Sequence, residues 1–205
     1  MGKPKNVYGE EDIDKAIDSL HNGPKGGRTI NAYMKEFDLA PLDLQGKRVL
    51  DLGASVGLQV ANGLEQRAIQ TEVISYSPIF TDPGLRAQAQ IIGSSEALKG
   101  VVAGMGESLP FAEDSFGYIF ALHVFEYLKT EKRQRAFVEE ILRTLAPGGT
   151  AYIGTFFDGT FDKKKREELK GLIGDPATGT WQKPTWRGPH AKAWVLRISK
   201  PEQAK

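Results

Sequence analysis

The chain has 205 residues, with 27 lysines and arginines against 26 aspartates and glutamates, a formal charge of +1, and no cysteine. That length accommodates one domain with a full α/β core. The balanced charge offers no global attraction for nucleic acid or an acidic membrane, and the missing thiols exclude disulfides, thiolate zinc sites and a cysteine nucleophile.

Met1–Glu10 is polar with no apolar core, and no apolar run is long enough to span a bilayer, so a soluble cytoplasmic protein is expected. Ile13, Ala16, Ile17 and Leu20 recur at helical spacing within Asp12–Leu20, and Ile30, Tyr33, Met34 and Phe37 repeat the pattern within Thr29–Phe37. Two N-terminal helices follow, forming a helical cap over residues 1–46. The breaker cluster Asn22–Arg28 between them reads as a connector, or as a loop able to wrap an anion.

From Lys47 onward, short apolar runs alternate with amphipathic helices, the rhythm of βα units and a parallel sheet. Strands are expected at Arg48–Leu52, Glu72–Tyr76, Gly100–Ala103, Tyr118–Leu122 and Thr150–Phe156. Helices are expected near Gly57–Ala68, Pro83–Gly93 and Glu131–Leu145, with Pro147-Gly148-Gly149 as the turn into the fifth strand. The tail reads as a charged helix over Phe161–Leu172, a Gly/Pro/Trp-rich stretch over Gly174–Pro189 and a final strand at Ala193–Ser199.

The segment Val49-Leu50-Asp51-Leu52-Gly53-Ala54-Ser55-Val56-Gly57-Leu58 joins an apolar strand to a helix through a turn of small residues. Small residues let a ligand lie against the backbone there, near the positive end of the helix. Three readings compete. A G-x-S-x-G nucleophile elbow needs more strands before it and an Asp-then-His order after it. A dinucleotide site needs G-x-G-x-x-G and an acid ending the second strand, and neither is present.

The third reading rests on resemblance. Asp51-Leu52-Gly53 through Gly57 resembles the first motif of class I S-adenosylmethionine-dependent methyltransferases. Gly104-Met105-Gly106-Glu107-Ser108-Leu109-Pro110-Phe111 and the following Ser115-Phe116 resemble the family's loop between its third and fourth strands. Leu122-His123-Val124-Phe125-Glu126-Tyr127-Leu128 resembles the string after its fourth strand, and Arg143–Gly149 the turn before its fifth. The resemblance spans about Lys47–Phe157. It implies a doubly wound, Rossmann-like α/β domain over residues 47–205, mostly parallel with an antiparallel final strand.

By the same resemblance, S-adenosylmethionine is the cofactor, held by Asp51, Gly53, Ala54, Ser55, Gly57, Ser75, Tyr76, Met105, Gly106, Glu107 and Leu122. Departures accompany the matches. Ser75 stands where the family has the acid that accepts both ribose hydroxyls, and one uncharged hydroxyl replaces only part of that interaction. Met105 stands where an Asp receives the adenine amino group, so it and Tyr76 are left to pack on the purine. Ser55 replaces the middle glycine, as in some RNA-directed relatives, and Gly117 replaces an acid, a third loss assigned to the same pocket.

His123, just past the fourth strand, is a candidate base or substrate ligand, or a hydrogen-bonded structural residue. Trp181, Lys183, Trp186, Arg187 and His190 belong to a loop that topology brings to the same sheet edge, as an aromatic wall or a packed flap. No metal-ligand spacing stands out. The expected partner is a small-molecule methyl acceptor; a non-catalytic relative and an RNA methyltransferase are the alternatives.

Overall fold

The computed structural model describes residues 30–157, 163–183 and 193–202. Seven strands form one sheet: β1 (Arg48–Leu52), β2 (Glu72–Ser77), β3 (Val101–Ala103), β4 (Phe116–Leu122), β5 (Leu145–Phe157), β6 (Thr178–Gln182) and β7 (Ala193–Ser199). Their spatial order is β3-β2-β1-β4-β5-β7-β6. Strands β1 to β5 pair in parallel, and β7 runs antiparallel between β5 and β6. The order reverses at β1, with β2 on one side and β4 on the other, which opens a crevice outside the carboxyl ends of these strands.

Among the described residues, six α-helices flank the sheet: α1 (Ile30–Phe37), α2 (Gln59–Glu65), α3 (Pro83–Ile92), α4 (Ser95–Lys99), α5 (Glu131–Thr144) and α6 (Lys163–Lys170). Their starts are written in short polar side chains. The Asp82 carboxylate accepts from the Leu85 N–H ahead of Pro83, the Ser94 hydroxyl from the Ala97 N–H, and the Thr130 hydroxyl from the Arg133 N–H, each satisfying a donor that the first turn leaves open.

Side chains alternate across each strand, so consecutive residues serve opposite cores. Leu50, Leu52, Ile119 and Ala121 join Phe137, Val138 and Ile141 of α5 on one face. Val49, Phe120 and Tyr152 join α1 and α2 on the other. Helix α1 is part of this second core: Phe37, 1% exposed, stacks on Phe120 with ring centroids 5.0 Å apart and on Tyr152 at 4.5 Å. Gly63 of α2 permits the close crossing, because a Cβ there would lie 2.5 Å from that of Ile30.

The expected helix within Thr29–Phe37 is α1; the one at Asp12–Leu20 and the connector Asn22–Arg28 lie outside the described residues. Two short elements have no counterpart in the sequence reading. Strand β6 is a five-residue stretch inside the Gly/Pro/Trp-rich tail, too brief for a period of two to stand out. Helix α4, also five residues, is little more than the turn its Ser94 cap allows. Pro147-Gly148-Gly149, expected as a turn ahead of the strand, lies inside β5 as a bulge: Leu145 pairs with Phe116 and Thr150 with Tyr118, so Ala146–Gly149 bows out opposite Gly117.

Phe37→Ala should lower unfolding free energy by about 3–5 kcal/mol, the usual cost of emptying an aromatic core site. Urea titration measures this, and a loss under about 1 kcal/mol would mean that α1 is not part of the core.

Candidate functional site at the carboxyl edge of the sheet

The resemblance-based site residues fall on the carboxyl ends of four neighbouring strands. Met105, Gly106 and Glu107 follow β3, Ser75 and Tyr76 close β2, Asp51 to Gly57 close β1 and open α2, and Leu122 and His123 close β4. Strand order thus gathers residues that are far apart along the chain.

Asp51 and Ser75 are register partners on adjacent parallel strands, so their side chains share one sheet face. Asp51 is 5% exposed and Ser75 fully buried. Burial pushes the Asp51 carboxyl up from 3.8 to about 7, because a carboxylate is costly to ionise away from water. Among the described residues it has no ion-pair partner. The Ser75 hydroxyl likewise has no hydrogen-bond partner. Two buried polar groups without partners, side by side at a sheet edge, form a place that a polar ligand would complete.

The turn from β1 into α2 is tied to its neighbours by backbone. The Gly53 N–H donates to the Tyr76 carbonyl at 2.8 Å. Gly53 has φ +77, and a Cβ on it would lie 2.2 Å from Val124 Cγ2, so only glycine lets the turn lie this close to the segment after β4. Ala54 is buried and Ser55 half-buried, the latter accepting the Leu58 N–H at 3.0 Å. Leu58 is itself left-handed, at φ 45 and ψ 45, a conformation that branched and bulky residues seldom adopt outside functional turns.

The segment after β3 is pressed between Tyr76 and α5. Tyr76, 3% exposed, has its hydroxyl 3.4 Å from the Met105 and Ser108 carbonyls. A Cβ on Gly104 would meet that hydroxyl at 1.9 Å, and one on Gly106 would meet the Phe137 ring at 2.5 Å. Glu107 is ion-paired with Arg133 of α5 at 2.5 Å. Sequence reasoning overlooked this set of α5 charges, Arg133, Glu140 and Arg143, because an amphipathic helix presents a polar face whether or not that face has a partner. The spacing Glu140–Arg143, three residues apart on one helix face, was the available signal.

Gly117 corrects the reading that assigned it to the same pocket. It lies at the start of β4, at the level of Arg48 in β1, where an added Cβ would meet Lys47 at 3.6 Å. The cleft opens at the other end of the strand, roughly 16 Å away at the strand rise of ~3.3 Å per residue. An acid lost at Gly117 therefore leaves the cleft unchanged.

His123 adopts φ 54, and its backbone N–H donates to the Gly154 carbonyl at 2.5 Å, which anchors it where β4 leaves the sheet. Of the expected aromatic wall, Trp181 is in β6 and its indole N–H donates to the Arg166 carbonyl at 3.2 Å. Lys183 and Arg166 lie over Trp194, 4.5 and 4.3 Å from the ring centroid. Trp186, Arg187 and His190 lie outside the described residues. Among the described residues no cluster of His, Asp and Glu is arranged to hold a metal, and no helix is long and apolar enough to cross a membrane.

Residues 50–153, the span from β1 into β5, match the family model described as a methyltransferase domain. The biotin biosynthesis bifunctional protein BioHC of Cellvibrio japonicus is 30% identical over 139 residues, 68% of this chain and 25% of that protein. The chain thus spans about a quarter of that relative's length. The fold is similar to a TehB-like SAM-dependent methyltransferase from Corynebacterium glutamicum, with TM-score 0.62, 15% identity, and 94% of this chain and 100% of that one covered. It is also similar to the N-methyltransferase NodS from Bradyrhizobium japonicum, solved in complex with S-adenosyl-L-homocysteine, with TM-score 0.58, 16% identity, and 91% and 99% covered. With the family model spanning the strand-turn-helix that carries Asp51 and the carboxyl edge around it, the chain belongs to the methyltransferase domain family.

Proposed function

We propose that this protein methylates a small molecule and holds S-adenosylmethionine mainly by its amino-acid end, on the Gly53–Gly57 turn beside Asp51. The observation that carries the reading is an adjacent pair: Asp51, a buried carboxyl pushed up to about 7, and its register partner Ser75, whose buried hydroxyl has no hydrogen-bond partner. They fit this cofactor: its ammonium supplies the charge that Asp51 lacks, and a ribose hydroxyl supplies a partner for Ser75. The adenosine end is held with less charge, by Ser75 and Met105 where relatives are read to carry acids.

When bound, the cofactor supplies a methyl group that is already electrophilic on its sulfonium. The protein's work is therefore to orient an acceptor in line with that methyl and to exclude water. The Gly53 turn and the half-buried Ser55 hold the amino-acid end in this reading. Met105 and Gly106 border the adenine side, and Leu122 closes the floor beside β4. His123, anchored at the end of β4, stands where an acceptor would enter and would take up its proton.

A small acceptor is favoured because the chain has a formal charge of only +1, whereas a polyanion requires a positive surface. Isothermal titration with S-adenosylmethionine and S-adenosylhomocysteine tests the reading. Binding should be measurable and should raise Tm by about 2–4 °C for each kcal/mol of linkage. Absence of heat and of a thermal shift at millimolar ligand would leave a non-catalytic binding module in its place.

Asp51 also sets a pH dependence with a definite sign. Its folded value of about 7 lies above the ordinary 3.8, so the folded state binds the extra proton and ligand-free stability should rise as pH falls from 8 to 6. Cofactor affinity should move the opposite way, strengthening through pH 7, because only the ionised carboxylate pairs with an ammonium. Asp51→Asn should abolish the stability slope, raise Tm at pH 8 and weaken cofactor binding about tenfold or more. A wild-type Tm that is flat between pH 6 and 8 would contradict the assignment of Asp51.

A further inference from the structure

The chain from Gly104 to Ser115 contains no regular secondary structure, yet it borders the adenine side of the proposed cofactor site. Several of its backbone groups are satisfied by side chains in place of a sheet ladder, and α5 provides three of these bonds. Glu140 Oε2 accepts the Leu109 N–H at 2.7 Å. Arg143 donates to the Phe111 carbonyl at 2.8 Å and to the Leu109 carbonyl at 3.0 Å. The same guanidinium grips Glu140 through two hydrogen bonds of 2.8 Å.

Arg143 therefore uses its planar fork three ways, on one carboxylate and two carbonyls, which no lysine reproduces. About two to three turns nearer the helix start, Arg133 holds Glu107 in the same segment. Leu109 as a whole is 5% exposed, so its amide has little access to water if the carboxylate is removed. The hydrogen bond from Arg143 is the largest of the influences that hold the Glu140 carboxyl below its ordinary range. That keeps it ionised as an acceptor across the neutral range.

From these contacts we propose that Glu140 and Arg143 are positioning residues for cofactor binding: they touch neither cofactor nor acceptor, and they hold the Gly104–Phe111 backbone as a preformed wall on which Met105, Gly106 and Glu107 meet the adenosine. This rests on the cofactor placement proposed above. A wall ordered before binding removes the entropic cost of ordering it at the moment of binding. Its loss should therefore appear in affinity for the cofactor and leave the transfer step itself largely unchanged.

The test uses the full chain and the variants Arg143→Lys and Glu140→Gln. Hydrogen exchange of the ligand-free protein reads the wall directly, and S-adenosylhomocysteine titration reads its consequence. Arg143→Lys should speed exchange of the Leu109 amide and weaken ligand binding, each by about tenfold, the usual effect of losing a charge-assisted hydrogen bond. Glu140→Gln retains an amide oxygen for Leu109 and should stay nearer wild type in exchange. Once an acceptor is known, KM for S-adenosylmethionine should rise in Arg143→Lys with kcat within about twofold.

Wild-type binding with Leu109 exchange and affinity both within twofold in Arg143→Lys would overturn the positioning role and leave the cofactor reading standing. Faster exchange with unchanged affinity would also overturn it, since the wall would then be structural only. No binding by the wild-type protein would overturn the cofactor reading and this inference with it.

Discussion

The cleft is organised around a carboxylate kept dry in the middle of a parallel sheet. Strand β1 is flanked by β2 and β4, and helices cover both faces, so Asp51 is largely withdrawn from water and its carboxyl is pushed up to about 7. A fold optimised for stability alone would place an apolar residue there, because an uncompensated buried charge costs several kcal/mol. Keeping an acid at the one strand whose neighbours diverge makes the fold bear that cost at the cleft, where the proposed cofactor's ammonium would offset it.

The rest of the domain makes this tolerable by dividing its cores between the two sheet faces. On the side Asp51 shares, Phe37, Phe120 and Tyr152 form a continuous aromatic stack. On the other, Phe111 packs edge-on against both Tyr76 and Phe116, and Phe125 against Phe137. The aromatic residues thus brace both sides of the strands whose ends form the cleft. The loop after β3 is braced differently, by ionic side chains from α5, because it has no partner strand beyond β2 to satisfy its backbone.

The departures from the family pattern have unequal weight once topology is known. Ser75 and Met105 lie at the carboxyl ends of β2 and β3, beside the cleft. Gly117 lies at the opposite sheet edge and only accommodates the bulge opposite Ala146–Gly149. Tyr76, expected to stack on a purine, has its ring buried and its hydroxyl against the Met105 and Ser108 carbonyls. It packs behind the loop after β3, with its hydroxyl held by that loop's carbonyls.

Local sequence made most of the individual elements legible. The mainly apolar runs at Arg48–Leu52 and Ala193–Ser199 coincide with β1 and β7, because a strand inside a sheet covered on both faces needs mostly apolar residues. The helix caps at Asp82, Ser94 and Thr130 are likewise local chemistry, and the motif from Asp51 to Gly57 marked the cleft because a tight strand-to-helix turn restricts residue size. Strand β6 was not legible, since its pairing with β7, more than any pattern of its own, makes it a strand. What only the tertiary structure decided is who faces whom: that Asp51 and Ser75 share a face without partners, that Gly117 is remote, and that Glu140 and Arg143 reach the loop after β3. Such relations depend on strand order and on burial, which are properties of the whole assembled sheet and are not contained in any stretch of residues.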